Sequence, residues 1–397
     1  MYKLYCRIYQ FAFRLAAVFL PFKRPEFLRD FTALAELLSQ KGIQSVLIVT
    51  DAGLVRKGQH TEMVRALGDR DIRYVIYDKT VPNPTIENTE EALELYRQGH
   101  CAAIIALGGG SPMDCAKAVG ARVAHPKKSI SQMRGQLKVR KAIPLLIAVP
   151  TTAGTGSETT LAAVVTDSTT HEKYGIVDPV LIPSYALLEP KLTVSLPSHI
   201  TAWTGMDALC HAVEAYIGHS NTAQTRKDAL KAVELIFRNL YTAFSDGQNL
   251  IARKNMQDAA FLAGLAFTRA YVGNIHAVAH TLSGQYGTQH GLANAVIMPY
   301  ILDMYDGKVD KPLSELARAA GAAVAAASAH ENAKAFIAAI RELNAKMEIP
   351  DKLSELKAED IPLLAERALR EANPLYPVPV IFRREDMEKV YGYILRK

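Results

Sequence analysis

The sequence predicts an N-terminal α/β domain built on a parallel sheet, followed by an all-α domain. In the first half, short continuous apolar runs alternate with stretches of helical spacing, the pattern of parallel strands covered by helices on both faces. In the second half, Ala, Leu, Glu, Lys and Arg recur at helical spacing, and we find no convincing strand pattern. We place the boundary near 197–201 and expect domains over 25–199 and 200–397, after an N-terminal extension over 1–24.

The predicted elements follow one another along the chain. Continuous apolar runs predict strands over 45–50, 73–77, 102–107 and 145–149. Helical spacing predicts helices over 61–68 and 86–98, and in the second half over 225–244, 313–329 and 332–347. A proline-rich stretch over 373–379 predicts a rigid surface segment near the C-terminus.

Charge and cysteine content exclude two classes of protein. The formal net charge is +6, but residues 1–24 hold five basic side chains and no acidic one, so the rest of the chain is close to neutral. Binding of nucleic acid would need clustered positive charge on the folded body. The four cysteines form no C-x-x-C pair and no dense framework. We therefore expect reduced thiols and a cytoplasmic protein rather than a disulfide-stabilised one.

Residues 1–24 form a basic extension ahead of the expected α/β domain. The stretch over 9–22 is apolar but is broken by Gln10, Arg14 and Pro21, and it is shorter than the roughly 20 apolar residues that cross a bilayer. Arg14 and the lack of a clean small-residue cleavage site also argue against a signal peptide. We expect an amphipathic helix that packs on the protein, on a partner or on a membrane surface.

Two loops rich in small residues follow predicted strands. The GGGS sequence at 108–111 comes directly after the strand over 102–107 and opens a predicted helix that runs to about residue 123. Glycines let the backbone approach a ligand, and a helix N-terminus favours a pyrophosphate. The alternative is an ordinary helix start with Ser111 and Asp114 as a capping box. The second loop, PTTAGTGSE over 150–158, offers hydroxyls and N–H groups at another strand end, which favours dinucleotide binding.

Asp51 ends the first predicted strand. A carboxylate there can accept hydrogen bonds from ribose hydroxyls and would repel a 2′-phosphate, which favours NAD over NADP. In the common dinucleotide fingerprint the acid follows the glycines by roughly 20 residues, whereas here it precedes them. The assignment of Asp51 therefore depends on its position at a strand end.

Five side chains in two short regions have the chemistry of metal ligands. Asp207 and His211 are four residues apart in a helical segment, and His276 and His280 repeat that spacing, so each pair shares one helix face. His290 follows in a Gly-rich turn. Three imidazoles with one carboxylate suit a divalent transition metal that keeps a position open for a substrate oxygen. Spacing does not decide which three histidines bind, and each one alone also suits a hydrogen-bonded helix face.

Four motifs stand in order along the chain: GGGSPMDCAK at 108–117, PTTAGTGSE at 150–158, DALCH at 207–211 and HAVAHTLSGQYGTQHGLANA at 276–295. Together they resemble the iron-containing alcohol dehydrogenase family, the group III, iron-activated type. The resemblance covers roughly residues 25 to 390, and VTD at 49–51 and VPNPT at 81–85 add to it. It implies an α/β dinucleotide domain with a parallel sheet and a helical C-terminal domain, the two-domain architecture shared with dehydroquinate synthase. Residues 1–24 have no counterpart in the family pattern.

The resemblance also implies roles for individual residues. Asp207, His211, His276 and His290 are the implied metal ligands, and His280 is the implied proton-relay group near the nicotinamide. The implied cofactor contacts are Asp51, Asn83, Gly109, Gly110, Ser111, Asp114, Thr151, Thr152, Thr155 and Lys173.

The expected activity is reversible hydride transfer between NAD and a small alcohol or aldehyde, with the metal polarising the substrate oxygen. We expect iron(II), with zinc as the alternative metal. Two rival functions remain: a dehydroquinate synthase-like or glycerol dehydrogenase-like zinc enzyme, and a relative that binds nucleotide without catalysis. As further partners we expect copies of the same chain in a homo-oligomer such as a dimer, and a membrane surface or partner protein at residues 1–24.

Overall fold

The computed structural model describes residues 1–17, 20–170 and 172–396. The chain divides into two compact units. The first, Pro21–Thr193, is here called the α/β unit. The second, Met1–Leu20 together with Val194–Lys397, is called the helical unit. Most of the predicted N-terminal extension, residues 1–20, therefore belongs to the same unit as the C-terminal half of the chain, whereas residues 21–24 belong to the α/β unit.

A parallel sheet forms the centre of the α/β unit. Its strands are β1 (Glu26–Leu28), β2 (Ser45–Val49), β3 (Arg73–Tyr77), β4 (Ala103–Gly108), β6 (Leu145–Pro150) and β9 (Tyr185–Leu187), in the order β1-β9-β6-β4-β2-β3. A smaller sheet contains β5 (Gly135–Gln136), β7 (Ala162–Thr166) and β8 (Lys173–Val177), in the order β5-β8-β7. The four predicted strands are confirmed as β2, β3, β4 and β6. Strands β2 and β4 are buried along their whole length, as expected for central strands of a covered parallel sheet.

The helices of the α/β unit are α2 (Phe31–Gln40), α3 (Ala52–Arg56), α4 (Thr61–Gly68), α5 (Ile86–Gln98) and α6 (Gly110–Ala124). Helices α4 and α5 have the predicted bounds. The alternative of a capping box at Ser111 and Asp114 is wrong, because α6 begins two residues earlier than such a box requires and Gly109 is its N-cap residue. The carboxylate of Asp114 instead accepts a hydrogen bond from the hydroxyl of Ser157, at 3.1 Å.

The helical unit contains α1 (Tyr2–Ala17), α7 (Ser198–Ile217), α8 (Ala223–Ser245), α9 (Leu250–Ala270), α10 (Asn274–Tyr286), α11 (His290–Met304), α12 (Asp310–Ala320), α13 (Ala329–Lys346), α14 (Ile361–Ala372) and α15 (Arg384–Ile394). Helix α7 is buried on all sides over most of its length. The helices predicted over 225–244 and 332–347 are confirmed as α8 and α13. The helix predicted over 313–329 is too long, because α12 ends at Gly321, whose left-handed φ of 71° closes the helix.

The proline-rich segment over 373–379 lies under α1, so the predicted surface position is wrong. Asn373, Tyr376 and Val378 are buried. The amide of Gln10 donates to the carbonyl of Tyr376 at 2.7 Å, and the guanidinium of Arg7 donates to the carbonyls of Val378 and Pro379 at 2.6 and 2.7 Å. The extension thus satisfies backbone groups of the segment that it covers. Neither α1 nor any other helix in the described ranges is long and apolar enough to cross a membrane.

Lys117 on α6 is fully buried in the α/β unit. Its ammonium donates three hydrogen bonds, to Ser157 Oγ at 2.9 Å, Thr160 Oγ1 at 2.7 Å and the Ala162 carbonyl at 2.9 Å. Burial lowers the pKa of Lys117 to about 8, although the negative charges of Asp114 and Glu158 act to raise it. Burial also raises the pKa of Glu158 to about 7. The side chain therefore ties α6 to the end of the loop over 150–158.

The lowered pKa of Lys117 predicts how stability changes with pH. Between pH 8 and the ordinary lysine pKa of 10.5 the unfolded chain binds a proton at this position that the folded chain has lost. Stability from this group therefore rises as the pH increases through that window. Lys117→Met lacks this group. Raising the pH through this window should therefore raise the unfolding midpoint of wild type relative to that of the variant.

Thermal unfolding of both proteins across this pH range checks the prediction, with the exposed Lys127→Met as the matched control that removes a lysine from the same unit. A constant difference between wild type and Lys117→Met over the whole range would contradict it.

Candidate active site

Three predicted nucleotide-binding segments meet at one edge of the parallel sheet. Strand β2 pairs with β4, and β4 pairs with β6, all in parallel. Asp51 follows β2, the glycine sequence follows β4, and the loop over 150–158 follows β6. The carboxyl ends of neighbouring parallel strands are where open α/β sheets bind ligands. The pairing explains why an acid that precedes the glycines in the chain lies beside them in the fold.

The glycines at the start of α6 leave room for the second loop. A Cβ added to Gly109 would lie 3.3 Å from Thr152 Cγ2, and one added to Gly110 would lie 3.2 Å from Thr155 Cγ2. The N-cap residue Gly109 has no side chain to occupy the first N–H groups of α6. This helix end therefore presents backbone donors and a partial positive charge of the kind that binds a pyrophosphate.

The remaining predicted cofactor residues fall into two groups. Lys173 Nζ donates to Asn83 Oδ1 at 2.7 Å, and the Asn83 N–H donates to Ser111 Oγ at 3.3 Å, so these three side chains lie together. Asp114 and Thr151 make internal hydrogen bonds, Asp114 with Ser157 and the Thr151 N–H with the Gly108 carbonyl. Burial raises the pKa of Asp114.

Asp51 also has a structural task in the fold. One of its carboxylate oxygens accepts the Leu54 N–H at 3.0 Å and caps α3. An aspartate at this position is therefore held in one orientation by the helix that follows it.

The predicted metal ligands converge within the helical unit. Asp207 and His211 lie one turn apart on α7, His276 lies in the first turn of α10, and His290 is the first residue of α11. One donor atom from each of the four residues lies within 4.8 Å of every other. Asp207, His211 and His276 are buried, and His290 is partly exposed. Asp207 Oδ1 is 3.5 Å from His290 Nε2 and 3.8 Å from His276 Nε2.

His290 lies in a helix rather than in the Gly-rich turn expected from the sequence. It opens α11, with Gln289 as the N-cap residue. The next residue, Gly291, explains how α11 approaches α7 so closely. A Cβ at Gly291 would lie 2.2 Å from the carbonyl oxygen of Trp203 and 3.3 Å from Asp207 Cβ. Only a glycine lets the two helices bring Asp207 and His290 together in this way.

Glu214 fixes the orientation of His276. Its carboxylate lies 2.7 Å from His276 Nδ1 and accepts the N–H groups of Gly273 and Ile275, both at 2.8 Å. Burial raises the pKa of Glu214 to about 7, although the backbone hydrogen bonds act to lower it. Burial and the neighbouring histidines hold the pKa of His276 well below its usual range, so this imidazole is neutral. With its one proton on Nδ1, His276 turns the lone pair of Nε2 towards Asp207 and His290.

Asn294 marks the point on which the donor atoms converge. Its Nδ2 donates to Asp207 Oδ1 at 2.7 Å and lies 3.2 Å from Nε2 of both His276 and His290. The amide has two N–H groups, so with one on Asp207 it can donate to only one of these two imidazole nitrogens. Three nitrogen donors and one carboxylate in a buried site fit a divalent ion such as iron(II) or zinc.

A second candidate set, Cys210, Glu214 and His276, shares a residue with the first. It uses the Nδ1 face of His276, which Glu214 already occupies. Burial raises the pKa of the Cys210 thiol well above its ordinary value. The first set is therefore the better metal site.

His280 lies beside the four ligands without joining them. Its ring stacks on that of His290, with centroids 5.1 Å apart, and its side chain is 40% exposed. His280 Nδ1 lies 2.5 Å from Glu371 Oε1, which also accepts the hydroxyl of Tyr376 at 2.7 Å. Burial alone would raise the pKa of Glu371, but the charge and hydrogen bond of His280 and the bond from Tyr376 lower it.

Several residues near the site were not predicted from the sequence. Glu214 follows Asp207 and His211 at helical spacing, at i+7 and i+3, so an extended search of that helix face finds it. Asn294 likewise lies four residues after His290. Glu371 is 91 residues from His280 and has no local signal. Lys117 and Glu158 lie inside the two predicted loop motifs, but their burial is a property of the fold alone.

Comparisons with known proteins match both halves of the chain to one family. A family model described as iron-containing alcohol dehydrogenase matches residues 29–190, and one described as Fe-containing alcohol dehydrogenase family, C-terminal, matches residues 201–395. The chain is 38% identical over 336 residues to 1,3-propanediol dehydrogenase from Citrobacter freundii, which covers 84% of this chain and 87% of that protein.

Solved structures show the same fold. A crystal structure of 1,3-propanediol oxidoreductase matches with a TM-score of 0.89 and 34% identity, over 93% of this chain and 97% of the other. The sulfoacetaldehyde reductase of Bifidobacterium kashiwanohense, solved in complex with NAD+, matches with a TM-score of 0.84 and 28% identity, over 94% and 98% of the two chains.

The close approach at Gly291 gives a test of how the ligands are assembled. Gly291→Ala should lower both the bound metal per chain and the free energy of unfolding, because the new Cβ meets the Trp203 backbone and pushes α11 away from Asp207. The matched control is Gly284→Ala on α10, where nothing lies within 4 Å of the added Cβ; that change should be neutral or stabilising.

Metal analysis and denaturant unfolding of both variants check this account. Full metal content in Gly291→Ala, or equal loss in Gly284→Ala, would show that helix contact does not set the ligand geometry.

Proposed function

The chain belongs to the iron-containing alcohol dehydrogenase family and is a metal-dependent, NAD-linked oxidoreductase of alcohols and aldehydes; on that premise we propose how its residues share the reaction. Residues 25–199 act as the dinucleotide-binding domain and residues 200–397 as the metal-binding domain. The observation that carries the proposal is the convergence of four donor side chains within 4.8 Å of one another.

Asp207, His211, His276 and His290 hold one divalent ion, with iron(II) favoured and zinc as the alternative. When bound, the ion supplies a Lewis acid for the substrate oxygen, and the nicotinamide supplies or accepts the hydride. Glu214 keeps the proton of His276 on Nδ1, so that Nε2 is available as a ligand. Asn294 restrains the carboxylate of Asp207 through its amide.

His280 carries the proton in this proposal. In the oxidation direction its neutral Nε2 accepts the proton that leaves the alcohol, and in the reduction direction it returns a proton. The carboxylate of Glu371 holds the Nδ1 side of the ring and stabilises the imidazolium that forms. The exposed edge of His280 allows exchange of that proton with solvent.

The nucleotide binds at the carboxyl edge of the parallel sheet. Gly109, Gly110 and the first turn of α6 receive the pyrophosphate, with the hydroxyls of Ser111, Thr151, Thr152 and Thr155 around it. Asp51 accepts hydrogen bonds from the ribose, which favours NAD over NADP. Asn83 and Lys173, joined by a hydrogen bond, add polar contacts to the nucleotide. Asp114 holds the loop over 150–158 through its hydrogen bond with Ser157.

The substrate is a small alcohol or aldehyde, and the working form is a homo-oligomer such as a dimer in the cytoplasm. Free, buried cysteines suit a reducing compartment. Of the two rivals, a dehydroquinate synthase-like or glycerol dehydrogenase-like zinc enzyme agrees less well with the two family models. A relative that binds nucleotide without catalysis agrees less well with a complete ligand set.

The experiment that tests the function is an absorbance assay of NADH formation and consumption. NAD and NADP are each supplied with short alcohols, diols and aldehydes, using protein loaded with iron(II), loaded with zinc or stripped by a chelator. We expect turnover with NAD that disappears on stripping and returns with metal. Substrate conversion without net NADH change would indicate a lyase, and NAD binding without turnover would indicate a non-catalytic relative.

The role of His280 predicts a separation between turnover and metal binding. His280→Ala should lower kcat by roughly 10²-fold or more, the usual contribution of general acid–base catalysis, while the metal content stays close to one ion per chain. Glu371→Gln should lower kcat less, because the imidazole remains. Steady-state kinetics with metal analysis checks both variants, and Tyr376→Phe, which keeps the Glu371 carboxylate, is the control. Metal loss in His280→Ala with unchanged turnover would contradict the assignment.

A further inference from the structure

Helix α1 carries two apolar faces, and the protein covers only one of them. The covered face contains Cys6 and Gln10, both buried, and Phe13, whose ring meets that of Tyr271 edge-on at 5.1 Å. Together with the hydrogen bonds of Arg7 and Gln10 to the segment over 376–379, these contacts fix the helix on the helical unit. The helix is therefore already folded and oriented without any further partner.

The opposite face is an exposed apolar stripe. It consists of Leu4, Ile8, Phe11 and Leu15, which are 65%, 60%, 63% and 53% exposed. Their spacing of i, i+4, i+7 and i+11 places them on one line along the helix. Single exposed apolar residues are common on protein surfaces, but a continuous line of large ones is a mark of an interaction surface. We call this line the outer stripe.

The two flanks of the outer stripe differ in chemistry. Lys3, Arg7 and Arg14 follow one flank, at i, i+4 and i+11. The charged end of Arg7 is bound to the carbonyls of Val378 and Pro379, so Lys3 and Arg14 are the two that face outwards. Tyr2, Tyr5 and Tyr9 follow the other flank, and all three are exposed. Basic side chains extend their charged ends towards lipid headgroups while their stems stay apolar, and tyrosine favours the boundary between lipid and water. An apolar line bordered in this way matches a helix that lies in a membrane interface.

The charge of the segment selects the occupant. Residues 1–24 carry five basic side chains and no acidic one, while the rest of the chain is close to neutral. A symmetric contact between two copies through α1 would bring two positive segments together. An anionic lipid surface instead supplies the opposite charge, and each basic residue near it strengthens binding by about fivefold.

We propose that α1 docks this enzyme on an anionic membrane surface, with the outer stripe inserted among the lipids and with Lys3 and Arg14 on the headgroups. Because its inner face is bound to the helical unit, α1 lies flat on the bilayer and carries the folded protein with it. Docking does not depend on the proposed chemistry, so its failure and the failure of that chemistry are separate results.

The test is flotation of the full chain with vesicles. Vesicles of phosphatidylcholine alone are compared with vesicles that also contain phosphatidylglycerol, at low and high salt. We expect the protein to float with the anionic vesicles at low salt, and much less at high salt or with neutral vesicles. Replacing all four outer-stripe residues by serine should weaken binding by about tenfold or more.

A matched control removes as many exposed apolar side chains from elsewhere in the helical unit. Leu250, Ile251, Val324 and Leu363 are 42%, 76%, 60% and 45% exposed. Serine at these four positions should leave vesicle binding unchanged. The pair Lys3→Gln and Arg14→Gln should weaken binding to anionic vesicles and reduce its salt dependence. Equal circular dichroism spectra and unfolding midpoints confirm that each variant is folded.

Three results would overturn the proposal. The wild-type chain could fail to bind anionic vesicles at low salt. The outer-stripe variant could bind as tightly as wild type. Alternatively, sedimentation velocity could show that the outer-stripe variant forms a smaller oligomer than wild type, and wild type could fail to bind vesicles. Those two results together would make α1 an interface between copies of the chain.

Discussion

The site depends on a carboxylate, Asp207, that is held among imidazoles in the interior of the helical unit. Burying a carboxylate is costly unless an opposite charge or strong hydrogen bonds compensate it. One amide, from Asn294, reaches it at 2.7 Å, and His276, which faces it, is held neutral. A bound cation would supply the missing charge. The close contact of α7 and α11 at Gly291 and the clamp of Glu214 on His276 place the donors that such a cation needs.

Sequence pattern predicted the elements whose signal is local. The four long strands of the parallel sheet were found because each is a continuous apolar run, whereas β1 and β9 have three residues each and offer no such pattern. The pair Asp207 and His211 on α7 and the pair His276 and His280 on α10 were found because helical spacing places i and i+4 on one face. The capping box at Ser111 is not formed, because the helix starts two residues earlier and Ser111 becomes a residue of its first turn.

Long-range contacts account for what the sequence could not supply. Nothing near Glu371 indicates that it meets His280, and nothing near Lys117 indicates full burial. The family resemblance, rather than spacing, separated His280 from the three ligand histidines, and the structure places it outside the group of converging donors. The segment over 373–379 looked like surface because the helix that covers it lies at the other end of the chain.

The measurement that tests the central claim most directly is X-ray absorption spectroscopy of the zinc-loaded protein. The account predicts imidazole scattering from three histidines, with nitrogen and oxygen neighbours at about 2.0–2.2 Å. A sulfur neighbour at about 2.3 Å would instead place the ion at Cys210. That result, or a spectrum without imidazole, would contradict the claim that Asp207, His211, His276 and His290 share one ion.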